Sequence, residues 1–297
     1  WTGRCGNPIY YEILRRSAEK NDNKEITVSI DPEKLKTLYL ELLCEVNVKI
    51  MLYTFACDVI MDEDTVKGVT VVNKSGFTDI YANVVIDASG DGDIAYKSGA
   101  EYHTGREADG KMQPVTIMFK IGGVDYYRAV FPPSFESTVK TPKGELQSLA
   151  KEILPYPAGH VLLYKSTLPG VVTGNMTNCI DIDGTNADDL TKGTVICRNQ
   201  MEDIVKFLRE YVPGYENCFI ISSASLLGVR ETRHFKGEYT LTEDDVLEAR
   251  KFDDYVVRDA HFGFDVHNMT GAGLDATGVQ HKFTQQEGYT IPYRCLL

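Results

Sequence analysis

One stretch constrains the fold more than any other. The apolar run Val84-Val85-Ile86 passes into Asp87-Ala88-Ser89-Gly90-Asp91-Gly92-Asp93 and then into a short segment of helical character, residues 94–98. A buried strand, a corner of small residues and a helix are what a doubly wound α/β sheet uses to bring main chain close to a nucleotide, because any bulky side chain in the corner would hold the ligand away. On the string alone, a tight turn with no ligand is an equal reading. The expectation is a strand over residues 84–87, a turn over 88–93 and a helix after it.

The pattern before this stretch is consistent with an α/β body. Residues 8–20 can form a helix with Pro8 in its first turn, and Asn21-Asp22-Asn23 breaks it. Asp31-Pro32-Glu33 reads as an N-cap, a proline at the first helical position and an acid in the first turn, and Leu35, Leu38, Leu42 and Val46 continue at helical spacing. Alternating runs over 49–53, 55–61, 66–73 and 78–82 read as a β-meander, with Asn73-Lys74-Ser75-Gly76 as turn chemistry.

From Val115 the pattern changes to strands between loops, at 115–121, 160–164 and 178–183. A long amphipathic helix over 186–211 ends at Pro213-Gly214. The segment 134–157 reads as surface loop with one helical piece at 146–153, and 289–295 as a strand. The fold class expected is therefore α/β and α+β: a Rossmann-like domain with a meander, followed by a mainly antiparallel sheet with helices.

Composition closes off other classes. The 297 residues carry 31 basic and 43 acidic side chains, a net charge of -12, which repels phosphate backbones, so nucleic acid is not an expected partner. The longest apolar runs fall far short of the roughly 20 residues needed to cross a bilayer. The seven cysteines are scattered and never form Cys-x-x-Cys, which fits free thiols in a reducing, cytoplasmic setting. Asp87, Asp91 and Asp93 lack the later ligands and closing glutamate of a calcium loop. No histidine pair has zinc-helix spacing, and Gly-x-Ser-x-Gly does not occur, so no metal is expected.

Several strings in one order give a more specific signal. Asp31-Pro32-Glu33-x-Leu35, Ile86 through Asp93, Gly99-Ala100, Gly105-Arg106-Glu107 and Met112-Gln113-Pro114 resemble the FAD-dependent oxidoreductases built on two dinucleotide-binding folds, a family with many uncharacterised bacterial members. The resemblance continues through Tyr211-Val212-Pro213-Gly214, Gly228-Val229-Arg230-Glu231-Thr232-Arg233, Gly237-Glu238-Tyr239-Thr240-Leu241, Asp244-Asp245-Val246 and Asp265-Val266-His267. It implies FAD as cofactor and hydride transfer with a polar small molecule. It also implies an opening Gly-x-Gly-x-x-Gly and a closing glycine-aspartate motif, and neither is found. With Trp1 in place of Met and an end directly after an expected strand, the sequence is expected to be an interior piece of such a flavoprotein, keeping little of the FAD grip and inactive by itself. The division expected is 1–114 for the partial FAD-binding domain, 115–285 for the substrate domain and 286–297 for a return strand.

The resemblance makes Asp87, Ala88, Ser89, Gly90, Asp91 and Gly92 the expected cofactor contacts. Arg106, Gln113 and Pro114 join them where the chain passes between its halves. Flavin chemistry also needs positive charge and a proton carrier. Arg230 and Arg233 suit the first role, or else they form structural ion pairs with Glu231 or Glu238. His267 and His234 are the candidates for the second, since imidazole titrates near neutrality; a structural histidine is the other reading of each. Two further classes stay open. One is a carbohydrate-active hydrolase or lyase using paired carboxylates from Glu231, Glu238, Asp244 and Asp265; the other is a non-catalytic binding domain.

Overall fold

The computed structural model describes residues 8–17, 30–133, 137–271, 279–281 and 287–297. The expected helix beyond Ser17, the Asn21-Asp22-Asn23 break, Cys5 and the start of the 134–157 loop lie outside the described residues.

Two helices come first, α1 (Pro8–Ser17) and α2 (Pro32–Glu45). The Asp31 carboxylate caps α2 by accepting the Glu33 N–H at 2.9 Å, with Pro32 at the first helical position, where its missing N–H is no loss. A meander follows: β1 (Phe55–Asp62), β2 (Thr65–Asn73) and β3 (Gly76–Tyr81), paired in that order. Asn73 Oδ1 accepts the Ser75 N–H and Gly76 takes a φ of 104°, so the expected turn forms. Residues 49–53 form no strand, and Tyr53 sits at a φ of 55°.

The expected strand over 84–87 is corrected. The last bond to the meander runs from the Ala82 N–H to the Lys67 carbonyl, after which the chain leaves the sheet. Val84 and Ile86 are 75% and 85% exposed. An apolar run becomes a buried strand only where a neighbouring strand and a covering layer exist, and among the described residues neither meets this one.

Helix α3 (Asp93–Lys97) and β4 (Tyr102–Thr104) complete the first half. The second half contains β5 (Phe119–Gly122), the small hairpin β6 (Lys140–Thr141) and β7 (Gly144–Glu145), α4 (Leu146–Ile153), β8 (Leu163–Lys165), β9 (Val172–Gly174) and α5 (Ala187–Tyr211). Then come β10 (Phe219–Ser223), β11 (Arg233–Phe235), α6 (Glu243–Leu247), β12 (Tyr255–Ala260), β13 (Phe264–Val266), β14 (Val279–His281), β15 (Tyr289–Pro292) and a last 3-10 turn (Tyr293–Cys295). The strand expected to run to Cys295 thus stops at Pro292. Of the expected strand at 178–183, only the bridge of Cys179 to Val115 forms, and Asp181 takes a φ of 56°.

Every described strand pairing is antiparallel. The molecule is a mixed α/β protein whose sheets are antiparallel. The largest sheet has the order β10-β5-β9-β8, and its inward residues Phe119, Ile121, Leu163 and Val172 share one core with Ile204, Phe207 and Leu208 of α5. Asn186 starts α5 by accepting the N–H groups of Asp188 and Asp189. This core holds the second half rigid and so fixes the segment that follows β10.

Candidate functional site

The corner after Ile86 is built on its own acids and hydroxyls. Asp87 Oδ2 accepts the N–H groups of Ile94 and Ala95, both at 2.9 Å, and Asp87 Oδ1 accepts the Ser89 N–H at 3.0 Å. Burial alone would raise the Asp87 carboxyl, but these backbone bonds outweigh it and hold the pKa below the usual carboxylate range. Ser89 Oγ accepts the Asp93 N–H at 3.2 Å. The first turn of α3 is therefore satisfied from within, and the corner keeps its shape without help. Gly90, at a φ of 94°, has nothing within 4 Å of where a Cβ would stand, whereas a Cβ on Gly92 would lie 2.0 Å from the Phe235 ring. One glycine presents open main chain; the other permits close packing.

The second half of the molecule clasps this corner. Thr116 and Gly228 exchange backbone bonds of 3.2 and 2.7 Å, and Arg233 pairs with Thr104 in the β11–β4 ladder, so both ends of the 229–233 segment are fixed. Thr232 Oγ1 then donates to Asp91 Oδ1 at 3.0 Å. Arg233 donates through Nη1 to the Asp91 carbonyl at 2.8 Å and to Asp93 Oδ1 at 2.9 Å. Its guanidinium lies 4.4 Å from the Tyr96 ring centre, and its side chain is only 9% exposed. Arg233 thus forms an ion pair, but with the corner rather than with Glu231 or Glu238.

Gln113 links three further candidates. Its backbone N–H donates to Glu231 Oε2 at 2.9 Å, and its Oε1 accepts the His267 backbone N–H at 3.1 Å. The other Glu231 oxygen lies 2.7 Å from His234 Nε2, and the His234 ring stacks on His103 at 4.8 Å between centres. His267 Nε2 lies 3.4 Å from Asp265 Oδ1. Burial first, and then the charge of Arg230, lower the His267 pKa, against the pull of Asp265. Arg230 is exposed, yet the protein around it lowers its pKa, with Asp265 and Tyr164 opposing. A cavity of about 410 Å³ opens beside Asp91, lined by Leu190, Thr194, Leu226, Leu227 and Val229.

Comparison with known proteins decides the lineage. The sequence model of the family described as FAD dependent oxidoreductase matches residues 4–297. The chain belongs to this family. No curated protein matches it. Among solved structures it is similar to a geranylgeranyl bacteriochlorophyll reductase-like protein from Thermoplasma acidophilum, at 15% identity and a TM-score of 0.45 over 71% of this chain and 44% of that one. A triple mutant of the flavin-dependent brominase Bmp2 matches at 14% identity and a TM-score of 0.43, covering 72% and 48%. L-proline dehydrogenase from P. horikoshii matches at 14% and 0.37, covering 74% and 49%. The chain spans less than half the length of each of these three.

FAD is the cofactor of the family, and the corner fits such a group in one concrete respect: at Gly90 the main chain is open, and Ala88 and Ser89 beside it are exposed and small. Residues 88–91 are those that would meet it, while Asp87 and Gly92 act inside the protein, on α3 and under Phe235. Arg106 donates to both carboxylate oxygens of Asp109, at 3.0 and 2.6 Å. Pro114 is buried beside the Gln113 junction. Among the described residues no group of three or more His, Cys, Asp and Glu side chains could hold a metal ion, and no helix is long and apolar enough to cross a membrane.

Three residues of the site were missed by sequence reasoning. His160 contacts the Asn175 carbonyl at 3.2 Å through Nε2, and Tyr164 and Asn175 stand with it near Arg230. They come from strands and loops more than 50 residues before Arg230, and no spacing in the sequence signals the meeting. Glu231 had been read as an ion-pair partner or as one of a hydrolytic carboxylate pair, and its bridging of Gln113 and His234 has no local signature either.

Proposed function

We propose that this chain carries the substrate-facing part of a flavin-dependent oxidoreductase that exchanges a hydride with a polar small molecule. The family membership supplies the cofactor class. The single observation that carries the placement is the clasp of Thr232 and Arg233 on Asp91 and Asp93, because it ties the small-residue corner to the segment that bears Arg230. In this reading residues 1–114 belong with the cofactor, 115–285 choose the substrate, and 286–297 return along β12.

The bound flavin supplies a ring that takes or gives a hydride. The protein's own groups supply orientation, charge and a proton path. Ala88, Ser89 and Gly90 let main chain approach the cofactor. Arg230 supplies positive charge toward the substrate side. His267, neutral near pH 7 because its pKa is lowered, is able to accept a proton, and Gln113 and Asp265 hold its position. Glu231 and His234 lead from Gln113 toward solvent, since the Glu231 side chain is 11% exposed and that of His234 is 46%. Arg233 and Gln113 act through these groups as positioning residues.

The test uses this chain joined to the opening Gly-x-Gly-x-x-Gly segment and the closing glycine-aspartate segment of a family member, with FAD added, and measures retained flavin absorbance after gel filtration. Ser89→Trp is expected to abolish retention by blocking the approach of the main chain. Replacing Arg230 is expected to slow turnover with the chromophore kept. Unchanged retention in Ser89→Trp would remove the corner from the proposal.

A further inference from the structure

The largest sheet buries one of its faces. Phe119, Ile121, Leu163 and Val172 point into the core shared with α5, and because successive side chains of a strand alternate between faces, Lys120, Tyr164 and Thr173 stand on the other side. The ladders set these three in one row, with Lys120 opposite Thr173 and Thr173 opposite Tyr164. Residues directly opposed across an antiparallel pair have Cβ atoms about 4.5–5.5 Å apart. Lys120 and Thr173 are therefore immediate neighbours.

The fourth strand joins the row through a bulge. Ile220 pairs with Ile121, and regular pairing would then set Ile221 against Lys120. The register instead shifts between Ile220 and Ser222, and Ser222 lies opposite Lys120. Such a bulge gives up regular pairing to re-aim a side chain; here it replaces an isoleucine by a hydroxyl beside a cation. Beyond it the Ala224 N–H donates to the Met118 carbonyl at 2.9 Å, which holds the two strands together past the bulge.

A hollow of about 200 Å³ lies on this row, and Lys120, Thr173, Ser222 and Ser223 line it. Lys120 is its one charged lining residue among those described, so no described carboxylate lines it. Lys120 is partly buried and, among the described residues, enters no hydrogen bond or ion pair. An ammonium only donates, and a hydroxyl can turn its proton toward an acceptor, so the hollow presents donors to whatever enters. Residues 222–224 line it, while Ser225, Leu226 and Leu227 line the cavity beside Asp91. Ser222 and Ser225 are at most about 11 Å apart along the chain, which sets the hollow close to the end of that cavity.

We propose that Lys120, Ser222 and Thr173 form a subsite for the carboxylate of a small, singly charged molecule. For the use made of that molecule this rests on the flavin-dependent reading above, and it names the substrate class. One ammonium and two hydroxyls supply donors to both carboxylate oxygens, and one positive charge balances one negative charge. A doubly charged phosphate keeps an uncompensated charge in a chain whose net charge is -12.

Calorimetric titration of this chain with propionate, propionamide and inorganic phosphate tests the subsite. Propionate is expected to bind, propionamide not measurably, and phosphate more weakly than propionate. Lys120→Met is expected to weaken propionate about ten- to a hundredfold, the usual worth of a charge-assisted bond, and Thr173→Val and Ser222→Ala severalfold each. Lys120 has no described bond to lose, so the unfolding midpoint of Lys120→Met should match the parent. Lys36→Met removes an equal charge from the surface of α2 and should leave binding unchanged. Equal binding of propionate and propionamide, unchanged binding in Lys120→Met, an equal loss in Lys36→Met, phosphate binding ahead of propionate, or no binding of propionate overturns the proposal. Flavin retention in the joined protein is read separately. Propionate bound by this chain with no FAD retained in the joined protein leaves the subsite standing and sinks the flavin placement; FAD retained there with no propionate bound sinks the subsite alone.

Discussion

Arg233 reaches Asp93 across 140 positions of sequence and holds its carboxylate at 2.9 Å while also donating to the Asp91 carbonyl. The contact joins the small-residue corner to the segment that continues from the largest sheet, and it lies under the Tyr96 ring, away from solvent. A pair so placed is worth more as a clamp than as a surface salt bridge.

Arg233→Met should therefore destabilise the protein by about 2–4 kcal/mol, because it strands the Asp93 carboxylate and the Asp91 carbonyl. Urea unfolding measures the loss. Retained flavin should fall in the same variant under native conditions, while Arg233→Lys should recover only part of both.

Gly90 and Gly92 should respond differently to a methyl group. In Gly92→Ala the new Cβ meets the Phe235 ring at 2.0 Å with φ at 64°, and overpacking plus left-handed strain should cost about 2–4 kcal/mol. Gly90→Ala meets no atom and should cost about 1–2 kcal/mol from its φ alone. Flavin retention should nevertheless be lost more completely at Gly90, since that is where the main chain is open. Thermal unfolding and flavin absorbance on the two variants check the contrast.

His160 makes stability depend on pH in a defined direction. Burial lowers its pKa from the usual 6.5 to about 4. Between those values the unfolded chain binds a proton that the folded protein does not, so stability falls as pH drops from about 6.5 toward 4. The group contributes up to roughly 3 kcal/mol of that fall. His160→Gln should flatten this part of the profile, and an unaltered slope in denaturant titrations at a series of pH values would show that the ring titrates normally.

Glu231→Ala should remove the acceptor for the Gln113 N–H and the contact to His234 together. A loss of about 1–2 kcal/mol is expected from the half-buried amide left unpaired. If Glu231 positions the His267 region, turnover should fall further than flavin retention, a split that steady-state kinetics and absorbance on one preparation resolve.

Much of the local structure was written in neighbouring residues. Asp31-Pro32-Glu33 set the start of α2, Asn186 and Pro213-Gly214 bounded α5, and α4 occupies residues 146–153 as its spacing required. Caps and turns act over a few residues, so sequence determines them. The family, too, was legible from strings in order. The segment 84–87 was not, because an apolar run reports only a tendency to be covered, and whether a strand pairs with it depends on distant chain. The site was divided in the same way. Sequence gathered the corner and the Gly228–Arg233 string as candidates by residue type. That Arg233 would turn inward to Asp93, that Gln113 would join Glu231 to His267, and that His160 would meet the Asn175 carbonyl were decided only by tertiary structure, since such contacts arise from how the sheet and α5 share a core rather than from any periodicity along the chain.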